Sequence, residues 1–154
     1  AHEWMIKFLE HRINDTKIIR LVKRFLKAGV MEEGKYYKSE SGVPQGGTLS
    51  PLLANIYLHY VIDLWFDKVV TKYCTGEAYI TRYADDIVFC FQYKQDAKRF
   101  YTALKGRLNK FELELSEEKT KMLNFGRFAQ RDAKRKGKNK AETFDCFRIY
   151  ALLW

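Results

Sequence analysis

The chain has 154 residues, of which 47% are hydrophobic and 16% aromatic, so it can bury one substantial core and favours a single compact domain. Lys and Arg outnumber Asp and Glu by 28 to 19, and the resulting formal charge of +9 favours a polyanionic partner, with nucleic acid as the first candidate. No apolar run reaches the roughly 18 residues of a membrane-spanning helix, which excludes an integral membrane protein of that kind.

Two helices are predicted at the start of the chain. Apolar side chains recur at helical spacing within residues 3–13. Asp15 and its neighbours then offer a cap for a second helix, which should run to about residue 28 and end at Gly29. From residue 30 to 39 the sequence is typical of two short strands with a turn at Glu33-Gly34.

A glycine-rich loop precedes the next predicted helix. It has the sequence Gly-Val-Pro-Gln-Gly-Gly at residues 42–47. Free backbone N–H groups at a helix start can approach a phosphate or a base edge closely, although such a loop is most often a plain connection. Ser50 as N-cap and Pro51 as the first helical residue predict a long helix to about Lys72, with an apolar face that belongs to the core.

Two β-rich runs between residues 78 and 91 predict a hairpin with Asp85 and Asp86 at or beside its turn. Asp96 is a candidate cap for a helix from residue 97 to about 111. Short strands are predicted near residues 113–115 and 122–125. Strands that alternate with helices indicate an α+β layer.

The composition changes after Gly126, where basic residues crowd a segment with few aliphatic side chains. We predict a flexible basic loop over residues 127–141, whose side chains would bind a phosphate backbone with little sequence preference. The alternative is a solvated loop without a partner. The basic residues are Arg127, Arg131, Lys134, Arg135, Lys136, Lys138 and Lys140.

The paired aspartates carry the strongest chemical indication. Adjacent carboxylates repel one another unless a cation neutralises them, and hard oxygen ligands on a rigid turn suit Mg²⁺. The implied reaction is phosphoryl transfer, although a two-metal site normally needs a further carboxylate from another strand. An ordinary Asp-rich turn is the alternative. Lys119 could donate a proton to a departing pyrophosphate or could lie on the surface without a role.

The cysteines favour a reducing compartment. Cys74, Cys90 and Cys146 are odd in number and form no CxxC pair, which argues against a disulfide framework. They share no zinc-ligand spacing with histidine either. We therefore expect a cytoplasmic protein.

Three motifs, in their order, resemble the reverse transcriptases of group II introns. They are GVPQGGTLSPLLANIYL at residues 42–58, RYADD at 82–86 and LSEEKTK at 115–121. The resemblance implies that Asp85 and Asp86 are catalytic, metal-binding carboxylates and that Lys119 lies near the leaving phosphate. It also implies a nucleotide and template pocket lined by Gly42, Pro44, Gln45, Gly46, Gly47 and Tyr83.

The resemblance implies an α+β fold, the incomplete palm of a right-hand polymerase, with a small antiparallel sheet and packed helices. Residues 1–126 would form the partial palm, followed by the basic loop and a short segment over residues 142–154, without a thumb domain. The implied activity is RNA-templated DNA synthesis with two Mg²⁺ ions. The partners would be an RNA template, a DNA primer, deoxynucleotides and intron RNA.

Two departures from the family pattern shape the functional expectation. The family's first catalytic aspartate lies on a strand just before the His-Glu-Trp helix, and this chain begins at that helix. We therefore expect the isolated chain to be inactive and to self-associate through exposed strand edges. Residues 146–150 also depart from the family's next block. The alternative function is a non-catalytic RNA-binding remnant or splicing helper.

Overall fold

The computed structural model describes residues 2–27, 30–32, 35–37, 49–126, 129–135, 137 and 151–153. Although the composition favours a single domain, the chain divides into two compact units, Ala1–Ile62 and Asp63–Trp154. Among the residues described, no helix is both long and apolar enough to cross a bilayer.

Two helices open the first unit, as predicted. Helix α1 covers His2–Glu10 and helix α2 covers Thr16–Lys27. Asp15 caps α2, since its Oδ1 accepts a hydrogen bond of 2.7 Å from the backbone N–H of Lys17. The helices pack through a stripe of buried side chains: Met5, Leu9, Ile19, Val22 and Leu26.

The short hairpin and the next helix complete the first unit. Strands β1 (Val30–Glu32) and β2 (Lys35–Tyr37) pair antiparallel, as predicted. Helix α3 covers Ser50–Leu58, but its N-cap is Leu49 and carries no side-chain cap, so the prediction of Ser50 as N-cap is wrong. The Phe8 ring of α1 stacks on Tyr60 with ring centroids 4.7 Å apart.

The long helix predicted to reach Lys72 is helical but not uniform. Two π-helical segments follow α3, His59–Asp63 and Phe66–Val70, and a short α4 covers Thr71–Tyr73. A π-helical turn accommodates an extra residue and so rotates the side chains that follow it, often at functional sites. The apolar pattern of the sequence carried no indication of this change.

An antiparallel hairpin forms the edge of the sheet in the second unit. Strand β3 covers Ala78–Tyr83 and β4 covers Asp86–Phe91, and their register runs from Ala78 opposite Phe91 to Tyr83 opposite Asp86. A two-residue turn joins them, with Ala84 in the left-handed region at φ 54°. The predicted hairpin, with the aspartates at its turn, is confirmed.

The four-stranded sheet is mixed. Its strand order is β3-β4-β6-β5, where β5 is Lys121–Leu123 and β6 is Ala151–Leu153. Strand β6 lies parallel to both β4 and β5. The α+β class is confirmed. The β1–β2 and β3–β4 pairs are antiparallel, as predicted for a small antiparallel sheet, and β6 adds two parallel pairings.

Aromatic side chains fill the space between this sheet and helix α5, Lys94–Lys110. The Phe100 ring of α5 lies 4.5 Å from Phe89 and 5.0 Å from Phe91, measured between centroids. Phe66 packs against the same cluster, 5.6 Å from Phe100. All four rings are buried. They anchor β4, and therefore the hairpin, to the helix.

Two predictions near α5 are wrong. Asp96 does not cap the helix, which begins at Lys94 with Tyr93 as N-cap. Its buried carboxylate instead accepts hydrogen bonds from the backbone N–H groups of Thr75 and Gly76, at 3.0 and 3.1 Å, and from Arg99. No strand forms at residues 113–115, which lie outside regular structure.

Candidate metal and nucleic-acid site

The two aspartates lie at one end of the sheet, at the tip of the β3–β4 hairpin. Asp85 is the second turn residue and is exposed, while Asp86 begins β4 and is half-buried. Within the part of the chain that the structure describes, neither carboxylate accepts a hydrogen bond or joins an ion pair. Both therefore keep their oxygen lone pairs available to an external cation.

The donor set fits one Mg²⁺ ion. Magnesium is usually bound through one or two carboxylates and completes its coordination with water and substrate phosphates. In the described residues, no group of three or more His, Cys, Asp or Glu side chains is gathered as a metal site. A second metal ion would therefore need a further carboxylate.

An arginine within the RYADD motif supports the turn, and sequence reasoning missed its role. The guanidinium of Arg82 bonds both carboxylate oxygens of Asp63, with Nε 2.9 Å from Oδ1 and Nη2 2.7 Å from Oδ2. Its Nη1 donates to the carbonyl oxygen of Ala84 at 2.8 Å. The motif contains the arginine, but the position of its partner follows only from the fold.

The hairpin presents polar and aromatic side chains to solvent on one face. Residues Tyr79, Thr81 and Tyr83 are exposed along β3, and the side chain of Tyr83 is 77% exposed. Tyr83 stands opposite Asp86 in the register. The predicted contact of Tyr83 with nucleotide or template thus involves an accessible ring beside the aspartates, and the contact itself stays a prediction.

Lys119 lies in the turn before β5. That turn is closed at Ser116, whose carbonyl oxygen accepts hydrogen bonds from the backbone N–H and the hydroxyl of Thr120, at 2.9 and 2.7 Å. The parallel register aligns Lys121 with Val88 through β6, so β5 starts at the same end of the sheet as Asp86. One strand separates β5 from β4, a width of about 10 Å. The exposed Lys119 makes no ion pair with either aspartate.

Other predicted site residues are only partly described. The loop residues Gly42, Pro44, Gln45, Gly46 and Gly47 lie outside the described residues, as do Arg127, Lys136, Lys138 and Lys140.

Part of the basic segment is helical where a loop was predicted. Arg131, Lys134 and Arg135 are exposed on a short helix, α6, over Ala129–Arg135. The segment forms a helix because its alanines and long side chains favour one and because Ala133 is buried. Within the described residues, no ion pair joins these cations to Asp85.

Helix α2 carries a basic face that the sequence reasoning overlooked. Successive residues rotate by about 100°, so all five cations of the helix fall within an arc of about 120°. This arc lies away from the buried stripe of Ile19, Val22 and Leu26. The sequence could have indicated this face, because residues 16–27 include five basic side chains and no acidic ones. The exposed cations are Lys17, Arg20, Lys23, Arg24 and Lys27.

Comparison with known proteins gives a consistent result. Residues 1–145 match the family model of the reverse transcriptase, an RNA-dependent DNA polymerase. The chain is 53% identical over 58 residues to the group II intron-encoded protein LtrA of Lactococcus lactis subsp. cremoris, covering 38% of this chain and 10% of that protein. It is 43% identical over 72 residues to the uncharacterized 91 kDa protein in cob intron of Schizosaccharomyces pombe, covering 47% and 9%.

A third relative is protein YkfC of Escherichia coli, 36% identical over 78 residues, which cover 50% of this chain and 19% of that protein. The alignments thus span between 9% and 19% of these relatives' lengths. The family match, in contrast, covers 145 of the 154 residues, including the aspartate hairpin and Lys119. The chain therefore belongs to the reverse transcriptase family, and a group II intron-encoded protein is among the relatives it resembles.

Proposed function

We propose that this chain supplies the palm of an RNA-directed DNA polymerase, in which Asp85 and Asp86 bind Mg²⁺ for nucleotidyl transfer. One observation carries the proposal: two adjacent carboxylates stand at the tip of a hairpin whose inner face is anchored in an aromatic core, and neither has a partner among the described residues. Free carboxylates held on a rigid element suit a metal ion better than they suit fold stability.

The roles of the chain's own residues follow from their positions. Asp85 and Asp86 would hold the metal ion, which when bound would neutralise charge on the substrate phosphates and on the leaving pyrophosphate. Tyr83 would offer its exposed ring to a base or sugar. Lys119, at the same end of the sheet, would donate a proton to the pyrophosphate as the primer 3′-oxygen takes its place.

The substrates would be deoxynucleotides, a DNA primer and an RNA template, with intron RNA as a further partner. We expect the isolated chain to be inactive, because the described residues supply two carboxylates where a two-metal site normally uses a third. A cytoplasmic location stays a prediction from the cysteine pattern.

Metal binding tests the proposal without requiring activity. Mn²⁺ substitutes for Mg²⁺ at oxygen sites, and its binding can be followed by electron paramagnetic resonance. We expect the chain to bind Mn²⁺ and to lose this binding when Asp85 and Asp86 are both changed to Asn. Asp67→Asn is the matched control, since Asp67 is an exposed carboxylate paired with Lys68. Equal Mn²⁺ binding in the Asp85 and Asp86 variant and in the control would refute the proposed site.

Primer extension on an RNA template, run with Mg²⁺ and deoxynucleotides, tests the finer expectation. We expect no extension by the isolated chain. Extension that disappears in the Asp85→Asn and Asp86→Asn variant would show that another group completes the site, and the expected inactivity would then be wrong.

The basic face of α2 favours a second candidate, a non-catalytic RNA-binding or splicing role. Five exposed cations on one face of a helix without acidic residues would bind a phosphate backbone. Such a role would leave RNA binding in low salt unchanged when Asp85 and Asp86 are changed to Asn. The palm role, in contrast, predicts Mn²⁺ binding that disappears on the same change.

A further inference from the structure

The candidate metal site is held by a contact that reaches from the helical segment before β3 to the turn. Arg82 spans this contact, since its guanidinium bonds both oxygens of Asp63 on one side and the Ala84 carbonyl on the other. The Arg82 and Asp63 side chains are only 14% and 26% exposed. Partial burial and bidentate geometry distinguish this pair from the exposed Lys23–Glu10 and Lys105–Glu117 ion pairs.

The turn needs such support. Ala84 adopts φ 54°, a left-handed conformation that residues with a Cβ rarely adopt and that two-residue hairpin turns usually assign to Gly or Asn. A strained backbone of this kind persists only where surrounding contacts hold it. The hydrogen bond from Arg82 fixes the Ala84 carbonyl, and with it the peptide plane that leads into Asp85.

Asp63 anchors the arginine rather than binding metal. Both of its oxygens are engaged by Arg82. Asp63 is also the last residue of the π-helical segment His59–Asp63. A π-helical turn redirects the side chains around it and is frequently found at functional sites. The residue that bonds Arg82 thus lies where the helix departs from α-helical geometry.

We propose that Asp63 and Arg82 are positioning residues that form a clamp on the hairpin turn and hold Asp85 and Asp86 in the orientation that binds metal. The inference rests on the proposed metal-binding role of the two aspartates. A merely structural ion pair would stabilise the unit without affecting the turn or the metal affinity, so these two properties separate the alternatives.

Arg82→Lys is the direct test, because lysine keeps the charge but its single ammonium lacks the planar fork that serves Asp63 and Ala84 together. We expect faster amide hydrogen exchange at residues 84–86 and Mn²⁺ binding weakened by about 10- to 100-fold, the usual effect of losing a group that orients metal ligands. Unchanged exchange at the turn would overturn the clamp, whether or not the chain binds metal.

Arg99→Lys is the matched control. Arg99 also pairs with an aspartate, Asp96, and also bonds a residue before β3, the Thr75 hydroxyl at 3.2 Å. It acts at the end of the hairpin away from the turn. This variant should lower thermal stability while leaving exchange at residues 84–86 and Mn²⁺ affinity unchanged.

Exchanging the two residues separates charge pairing from clamping. The double variant Asp63→Arg with Arg82→Asp retains opposite charges, but an aspartate at position 82 has no hydrogen to donate to the Ala84 carbonyl. Its thermal stability should be closer to the wild-type value than that of either single variant. Amide hydrogen exchange at residues 84–86 should remain faster than in the wild type, and Mn²⁺ binding should remain weaker. Recovery of all three would overturn the clamp.

Two outcomes need a separate interpretation. If the double variant does not fold, the amide hydrogen exchange of the Arg82→Lys variant alone decides whether the clamp exists. If the wild-type chain shows no Mn²⁺ binding that depends on Asp85 and Asp86, the proposed function fails, and the exchange rates at residues 84–86 still test the clamp.

Discussion

Changing Asp96 to Asn should destabilise the second unit in a pH-dependent manner. The Asp96 carboxylate is buried and accepts hydrogen bonds from the Thr75 and Gly76 N–H groups and from Arg99. Burial alone would raise its pKa, but the hydrogen bonds from Gly76, Arg99 and Thr75 outweigh burial and lower the pKa below its ordinary value of 3.8. The ionised form is therefore the one that stabilises the fold.

The magnitude follows from these contacts. Hydrogen bonds to a charged acceptor contribute about 1.5–3 kcal/mol each, and their contributions are not additive. Asparagine retains one acceptor oxygen but turns an N–H₂ group toward donors and leaves Arg99 without its charged partner. We expect a loss of about 3 kcal/mol in the free energy of unfolding at pH 7, or roughly 12–24 °C in the midpoint of thermal unfolding for a unit of this size.

The pH dependence has a definite sign. Because the folded-state pKa is lowered, the stabilisation is fully present above the unfolded-state value of 3.8 and is lost as pH falls through the folded-state pKa. In urea unfolding monitored by circular dichroism, the free energy of unfolding of Asp96→Asn should differ from that of the wild type by a constant amount from pH 7 to about pH 5. The difference should shrink below pH 4.

A difference that stays constant down to pH 3 would refute this reasoning, as would a negligible difference at pH 7. Glu117→Gln serves as control, because Glu117 forms an exposed ion pair with Lys105. That substitution should not measurably change the free energy of unfolding at pH 7 or at pH 3.

Three further predictions concern the core, the basic face and the cysteines. Phe100→Ala should lower the free energy of unfolding by about 3–5 kcal/mol in urea titrations, because Phe100 is 3% exposed and packs against other buried rings. Changing Arg20, Arg24 and Lys27 together to Gln should lower the slope of log affinity for RNA against log salt by about two to three, measured by fluorescence anisotropy. Cys90 should react slowly with iodoacetamide at pH 8 in peptide mass spectrometry, since burial raises the pKa of its thiol.

Each of these has a matched control. Tyr101 lies on the same helix but is less buried, so Tyr101→Ala should lower the free energy of unfolding by less than Phe100→Ala. Changing Lys94, Lys98 and Lys110 to Gln removes the same number of cations from α5. An equal loss of salt dependence in this control would show that RNA does not bind preferentially to the basic face of α2. Unfolding the chain in urea should speed alkylation of Cys90, and no change would contradict protection by burial.

Local patterns predicted the elements that local physics determines. The cap at Asp15, the extent of α2 and the β3–β4 hairpin depend on residues within a few positions of one another. The aspartates at the turn followed from the same patterns. These features were therefore available before any tertiary contact was known.

The failures share a different cause. The sequence predicts Asp96 as a helix cap, but its carboxylate instead accepts hydrogen bonds from the backbone N–H groups of Thr75 and Gly76, about 20 residues away in sequence. The clamp pairs Arg82 with Asp63 through a π-helical segment that no apolar pattern indicates. Strand β6 enters the sheet between β4 and β5. Long-range pairings of this kind leave no periodic signal in a single sequence.

The position of β6 gives a concrete form to the predicted self-association. Within the described residues, β6 pairs with β4 through Val88–Cys90 and with β5 through Lys121–Leu123, which is three residues on each side. A strand this short opens easily and then exposes the inner edge of β4, a template for another chain.

Leu152→Pro tests this mechanism, because proline removes a backbone N–H from the middle of β6. We expect sedimentation velocity at tens of micromolar to show a larger weight-average mass for this variant than for wild type. Ala151→Pro is the control, since proline is tolerated at the first residue of a strand. A wild-type chain and a Leu152→Pro variant that are both monomeric would contradict association through this edge, because opening β6 would then leave a surface to which no second chain binds.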